Sequence, residues 1–204
     1  MLQDTHNAAT VDVIVPTTNA ARAEVLWATA YPMCGVPDAR LIIAEDPAHS
    51  GFTRAANSGL RQATGAYVCL LNDDARPLTT DWLAKLVAVM ESDNAIGFVG
   101  PSGGCRTDPQ CYGKRNDEAI VISQVDHLAF FCVLIRAILC QAVGLLDERY
   151  IHYGSDVDYQ WRAREFGYKA MWAQHVYVKH PVRPFLEPWH TQDAKVLMRQ
   201  WGHA

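Results

Sequence analysis

Gly65-Ala-Tyr-Val-Cys-Leu-Leu-Asn-Asp-Asp74 is the stretch on which the reading of this chain turns. Ala66–Leu71 is a continuous apolar run, the pattern of a strand covered on both faces in a parallel sheet. It runs without a spacer into Asn72-Asp73-Asp74. Two adjacent carboxylates after a buried strand are costly unless water or a cation serves them. Hard cations such as Mg2+ take one or two carboxylates and complete their shell with phosphate oxygens. Taken alone, the pair is also what an exposed turn or a helix start provides, because Asp is common there.

The same alternation recurs on either side of this stretch. Val11–Pro16 reads as a strand stopped by proline, and Asn19–Ala30 as a helix that Asn19 can cap. Arg40–Glu45 is a second apolar strand, and Phe52–Ala63 a helix broken at Thr64-Gly65. Thr80–Glu91 is amphipathic, with Leu83, Leu86, Val87 and Met90 on one face, and Ala95–Val99 is a fourth strand. Strand and helix in alternation predict a parallel sheet with right-handed crossovers. Ligands in such sheets bind at the carboxyl ends of the strands, where Asp46 and Asp73-Asp74 fall.

Gly100–Asp117 is rich in Gly, Pro, Asp and Arg and reads as a long loop, of the kind that serves as a lid or binding loop. Ala119–Val125 and Leu128–Ile135 read as a pair of strands, with a short helix following to about Ala142. Asp156–Phe166 reads as a helix ended by Gly167, Tyr168–Trp172 and His175–Val178 as short strands, and the tail from Glu187 as a last helix. Asp156 and Asp158 stand at a helix start, where acids suit the dipole and the cap. A catalytic base would occupy the same kind of place, fixed in orientation and open to a cleft. His175 lies five positions before His180 and faces the other way on extended chain, so the two do not share a metal.

The 204 residues fit one domain, and half of them are hydrophobic, which excludes global disorder. A net charge of -4 gives no support for nucleic acid as a partner. The opening MLQDTHNAAT lacks the apolar core of a signal peptide, and Leu128–Ile135 is shorter than the roughly 20 residues of a membrane span. A cytoplasmic protein is expected. The six cysteines include no CxxC; Cys105 and Cys111 alone stand where a disulfide or metal is plausible, and reduced thiols are the expectation.

In their order, these pieces resemble the family-2 glycosyltransferases of the GT-A fold, from Val11 to about His180. Val13-Ile-Val-Pro-Thr17 is similar to that family's opening strand and turn, and Leu41–Asp46 to its second strand with an acidic end. Gly51-Phe52 with Asn57-Ser-Gly-Leu60 resembles its first helix, and Gly65–Pro77 the strand leading to its Asp-rich metal motif. Gly144-Leu-Leu-Asp-Glu148, Gly154-Ser-Asp-Val-Asp158, Arg162-Ala163 and Gly167-Tyr168 resemble its acceptor-side motifs, and His180 its terminal metal-ligating histidine. Three departures stand out: Asn72 in place of a first Asp, Ser155 in place of an acid, and a short segment, Pro47–Ser50, after Asp46.

The resemblance implies an α/β GT-A fold, a Rossmann-like and mostly parallel sheet flanked by helices, with a small antiparallel element on the acceptor side. It implies one domain over 1–204: a nucleotide-sugar half at 11–100, an acceptor half at 119–180 and a tail at 185–204. Thr17, Asp46, Asn57 and Asp73 would contact the nucleotide sugar. Asp74 and His180 would hold Mn2+ or Mg2+, and Asp156 would be the catalytic base of an inverting transfer. The donor would be a nucleotide-diphosphate sugar, and the acceptor a hydroxyl of a glycan, a lipid-linked compound or a small molecule.

Two other classes stay open on the sequence. One is a nucleotidyltransferase, although the Pro16–Ala20 turn lacks its glycine-rich basic loop. The other is a silent nucleotide-sugar-binding module, favoured by Ser155 and the short 47–50 segment. The apolar tail reads three ways: packed back on the domain, as a homodimer contact, or resting on a membrane surface.

Overall fold

The computed structural model describes residues 10–103, 110, 120–181 and 184–202. The expected loop at 100–117 falls mostly outside them, as do Cys105 and Cys111. The strands are β1 (Val11–Thr17), β2 (Arg40–Glu45), β3 (Tyr67–Leu71), β4 (Arg76–Pro77), β5 (Ile96–Ser102), β6 (Ile122–Val125), β7 (Cys132–Arg136) and β8 (Lys169–Lys179). The helices are α1 (Ala20–Ala30), α2 (Phe52–Leu60), α3 (Trp82–Glu91), α4 (Leu139–Ala142), α5 (Ser155–Glu165) and α6 (Trp189–Trp201).

The strands form one sheet in the order β2-β1-β3-β7-β5-β8-β4, with β6 also on β8. β1 pairs parallel with β2 and β3, and β5 parallel with β8. β7 runs antiparallel to both β3 and β5, so those two point the same way. Alternate residues of the apolar strands feed two cores. Val13, Val15, Cys69 and Leu71 meet α1 and α3 on one face; Ile14, Val68 and Leu70 meet α2 and α5 on the other. At Gly59 a Cβ would lie 2.2 Å from Ile14 Cγ2, so glycine lets α2 sit directly on β1.

Four local expectations are corrected. The two strands expected after residue 119 do not pair with each other. β7 carries four fully buried residues and takes a central place, whereas β6, half exposed in alternation, pairs only with β8. β5 continues past Val99 through Pro101 to Ser102. The two short strands at 168–178 are one strand, β8. Its break in the sequence is a bulge: Pro101 faces Ala173 but Ser102 faces Tyr177. Asn19 stands at the N-cap of α1 without a side-chain cap; Thr17 Oγ1 instead accepts from Asn19 N at 3.0 Å.

The tail packs back on the domain as α6. Among the described residues no helix is long and apolar enough to cross a membrane. Cys34, Cys69, Cys132 and Cys140 are free thiols, and burial pushes those of Cys34, Cys132 and Cys140 up, away from the reactive thiolate.

Candidate active site

Three parallel strands end side by side. Thr17 closes β1, Asp46 follows β2, and Asn72-Asp73-Asp74 follows β3. Thr17 Oγ1 donates to Asp73 Oδ2 at 2.7 Å, and Arg22, from the first turn of α1, lies 3.3 Å from Asp73 Oδ1. Asp46 accepts from Ser50 Oγ at 2.8 Å and Gly51 N at 2.9 Å. Burial pushes the Asp46 carboxyl up, but these donors outweigh it and leave it below the ordinary carboxylate range. The short 47–50 segment is thus a tight turn closed on Asp46. Gly51 has φ 109, and a Cβ there would lie 2.6 Å from the Ile151 carbonyl oxygen. Glycine is required on both counts.

Asp74 Oδ1 lies 3.3 Å from His180 Nε2, and Asn72 Nδ2 is also 3.3 Å from that nitrogen. The imidazole stacks on Phe131, with centroids 5.0 Å apart and planes at 23°. Two ligands at bond lengths near 2.1 Å on one ion sit about 3 Å apart in adjacent positions, so this carboxylate and imidazole are spaced to share a divalent cation. His180 Nδ1 is buried and finds no hydrogen-bond partner among the described residues, which therefore supply no outer acceptor of the kind metal-bound histidines commonly use. Among the described residues no group of three or more His, Cys, Asp or Glu could hold an ion alone. Phosphate oxygens would have to complete the shell, which Mg2+-type sites accept. His175 takes no part in this cluster and is not among the residues that line the cleft.

The start of α5 lines the same cleft as these strand ends. Asp156 lies in its first turn, with Oδ1 accepting from Val157 N at 2.9 Å. Ser155 is buried and accepts from Thr53 Oγ1 at 3.1 Å, tying α5 to α2. Asp158 is fully buried; it takes Arg162 Nε at 2.9 Å, Gln200 Nε2 at 2.7 Å and Trp201 Nε1 at 3.0 Å. It is a structural anchor for α6. Asp193 of α6 accepts three successive backbone N–H groups, from Ile151, His152 and Tyr153, at 2.8–2.9 Å. His152 is held below its ordinary value, chiefly by burial, against the opposing pull of Asp193 and Asp46.

The cleft is open, with a volume of about 1050 Å³. Thr17, Asp46, Asp73, Asp74, Asp156 and His180 all line it, although they come from distant parts of the sequence. Asn57 does not. It is buried, with Nδ2 donating to the Leu146 carbonyl at 2.8 Å and Oδ1 accepting from Leu146 N at 3.0 Å. The structure therefore gives Asn57 the work of pinning the loop before α5 to α2. Arg22, His152, Tyr153 and Asp193 also line the cleft and went unread in the sequence. For Asp193 a signal existed: it shares a helix face with Trp189 and Leu197, and a carboxylate within an apolar stripe asks for buried partners.

The family model described as Glycosyl transferase family 2 matches residues 36–182. The chain belongs to glycosyl transferase family 2. Within this family-2 chain, β1, α1 and α6 lie outside the matched segment. Glycosyltransferase AglE of Haloferax volcanii is 26% identical over 152 residues, covering 72% of this chain and 49% of that protein. A pre-mycofactocin glycosyltransferase of Mycobacterium tuberculosis is 26% identical over 161 residues, covering 72% and 34%. The family-2 chain thus spans half or less of these curated relatives.

Solved structures with the same fold include GalNAc-T7 with UDP, GalNAc and Mn2+, at TM-score 0.67 and 14% identity, covering 94% of this chain and 48% of that one. The mannosyltransferase PcManGT of Pyrobaculum calidifontis, in complex with GDP-Man and Mn2+, superposes at TM-score 0.65 and 21% identity, covering 94% and 63%. The fold is GT-A: a central mixed sheet, parallel where the acidic strand ends lie, flanked by helices.

Proposed function

We propose that this chain is a metal-dependent, inverting glycosyltransferase domain that moves a sugar from a nucleotide-diphosphate donor to an acceptor hydroxyl. The observation that carries the reading is the convergence of Asp46, Asp73, Asp74 and His180 with Asp156 in one open cleft. The solved relatives hold UDP or GDP-Man together with Mn2+, which supports the donor class and the metal.

Thr17, Asp46 and Asp73, all at the carboxyl edge of the parallel strands, would receive the nucleotide and its ribose. The Asp73 carboxylate is kept in place by Thr17 and Arg22. Asp74 and His180 would hold Mn2+ or Mg2+, which supplies charge stabilisation to a departing diphosphate. Asp156 would accept the proton of the attacking acceptor hydroxyl. Its place in the first turn of α5, lining the same cleft as the acidic strand ends, suits the base of a single direct displacement, hence inversion. Residues 11–100 would serve the donor and residues 119–180 the acceptor, a glycan, lipid-linked compound or small molecule.

Thermal unfolding with UDP, GDP, dTDP and CDP, each with and without Mn2+, tests the donor site. A ligand at a hundredfold over its Kd stabilises by about 2.7 kcal/mol. A metal-dependent rise with one nucleotide is expected; no rise with any would move weight to a silent module.

A further inference from the structure

The family match ends at residue 182, yet α6, beyond it, is built into the cleft. Asp193 is 1% exposed. A carboxylate so buried is costly unless donors surround it. Here Oδ1 takes Ile151 N at 2.9 Å, and Oδ2 takes His152 N at 2.8 Å and Tyr153 N at 2.9 Å. Those amides belong to the turn that feeds α5, and Asp156 comes three residues after Tyr153. The same turn reaches the donor end, because Thr53 N donates to the Ile151 carbonyl at 3.2 Å beside Gly51. α6 also grips the chain just past Asp156, through Gln200 and Trp201 on Asp158. Leu186 N, ahead of α6, donates to Tyr153 Oη at 2.8 Å.

We infer that Asp193 is a positioning residue for Asp156, and that it makes the C-terminal helix part of the catalytic unit. The inference rests on the base role proposed for Asp156. With the turn held before Asp156 and Asp158 held after it, the carboxylate sits on a segment clamped at both ends. Loss of Asp193 frees three amides at one end of that clamp. A displacement near 1 Å at a reacting group costs roughly 100-fold in rate. The nucleotide end rests mainly on β1, β2 and β3, and meets this turn at the Ile151 carbonyl rather than at the three amides that Asp193 holds.

Asp193→Asn tests this, because it keeps the shape and removes the charge and one accepting oxygen. The probes are the four nucleoside diphosphates with Mn2+, the nucleotide sugar of whichever binds, and amide hydrogen exchange over 151–153. The expected result is a turnover, to acceptor or to water, reduced about 10- to 100-fold. Nucleotide affinity and donor KM should stay within about twofold, and exchange at 151–153 should quicken. Asp193→Ala should repeat this pattern more strongly. Wild-type turnover in Asp193→Asn would overturn the inference. An equal loss of nucleotide affinity would also overturn it, because Asp193 would then support the whole cleft. If the wild-type protein turned over no nucleotide sugar, the proposed function itself would fail. Unchanged exchange at 151–153 in Asp193→Asn would then still overturn the clamp.

Discussion

Asp74 Oδ1 stands 3.3 Å from His180 Nε2, joining a carboxylate that follows β3 to an imidazole that follows β8. Nothing in the local sequence of either residue names the other as a neighbour. The antiparallel pair of β4 with β8 brings them together: Arg76 faces Lys179, so the residues just before β4 meet the residue just after β8. If this pair holds the cation, Asp74→Ala should reduce Mn2+-dependent nucleotide affinity by on the order of 100-fold, and His180→Ala by about tenfold. Metal-free affinity should be unchanged in both. Calorimetric titration with and without Mn2+ decides it; equal metal dependence in wild type and Asp74→Ala would remove the pair from the metal's shell.

Gly51→Ala should be destabilising. Its φ of 109 is unfavourable for any side chain, and the added Cβ would press on the Ile151 carbonyl and Cγ2 at 2.6 Å. Strain of about 1–3 kcal/mol is expected, read as a lower denaturant midpoint. Because Gly51 N also donates to Asp46, nucleotide affinity should fall with it.

Acid should destabilise the fold through Asp12. This buried carboxylate takes Arg40 at 2.9 and 3.0 Å, Thr64 N at 2.6 Å and Gly65 N at 2.8 Å. Burial pushes its carboxyl up, but the donors prevail and hold it below the ordinary 3.8. A carboxyl lowered in the folded state stabilises fully above its unfolded value, and that contribution is lost as pH falls through the folded one. Asp126, lowered to about 2 because hydrogen bonds from Trp161, Arg164 and His127 outweigh its partial burial, acts in the same direction but more weakly, since its side chain is more than half exposed to solvent screening. Urea midpoints should therefore drop below about pH 4. Asp12→Ala should cost about 2–3 kcal/mol at neutral pH, with Arg40 half exposed, and flatten the acid slope. An acid slope in Asp12→Ala as steep as in wild type would show that other carboxylates carry it.

Most of the fold over residues 11–100 was legible. Ala66–Leu71 announced a strand covered on both faces, and the alternation up to Val99 set the parallel strands whose ends carry Thr17, Asp46 and Asp73-Asp74. What stayed hidden depended on long-range pairing. Leu128–Ile135 declared a buried strand, but nothing in it said that β7 would enter antiparallel between β3 and β5. Asn57 shows the limit of a motif: its place in the α2 pattern was plain, yet its amide is spent on Leu146, away from the cleft. Asp193 shows the converse. Its partners are three backbone amides some forty residues away, and backbone donors leave no mark in sequence.

Removing the chain from Pro184 onward should be harmful, because it deletes Asp193, Gln200 and Trp201 together. Asp158 would lose two donors and three amides of the 151–153 turn would lose their acceptor. A lower unfolding midpoint and loss of turnover are expected. A truncated protein with wild-type stability and turnover would contradict the packed-back role of α6.

If Asp156 is the base of a transfer whose donor binds in the same cleft, the decisive variant is Asp156→Asn. With the matching nucleotide sugar, Mn2+ and an acceptor, the rate should fall about 10²- to 10⁴-fold while nucleotide affinity stays at the wild-type level. Turnover at the wild-type rate in Asp156→Asn would contradict the account.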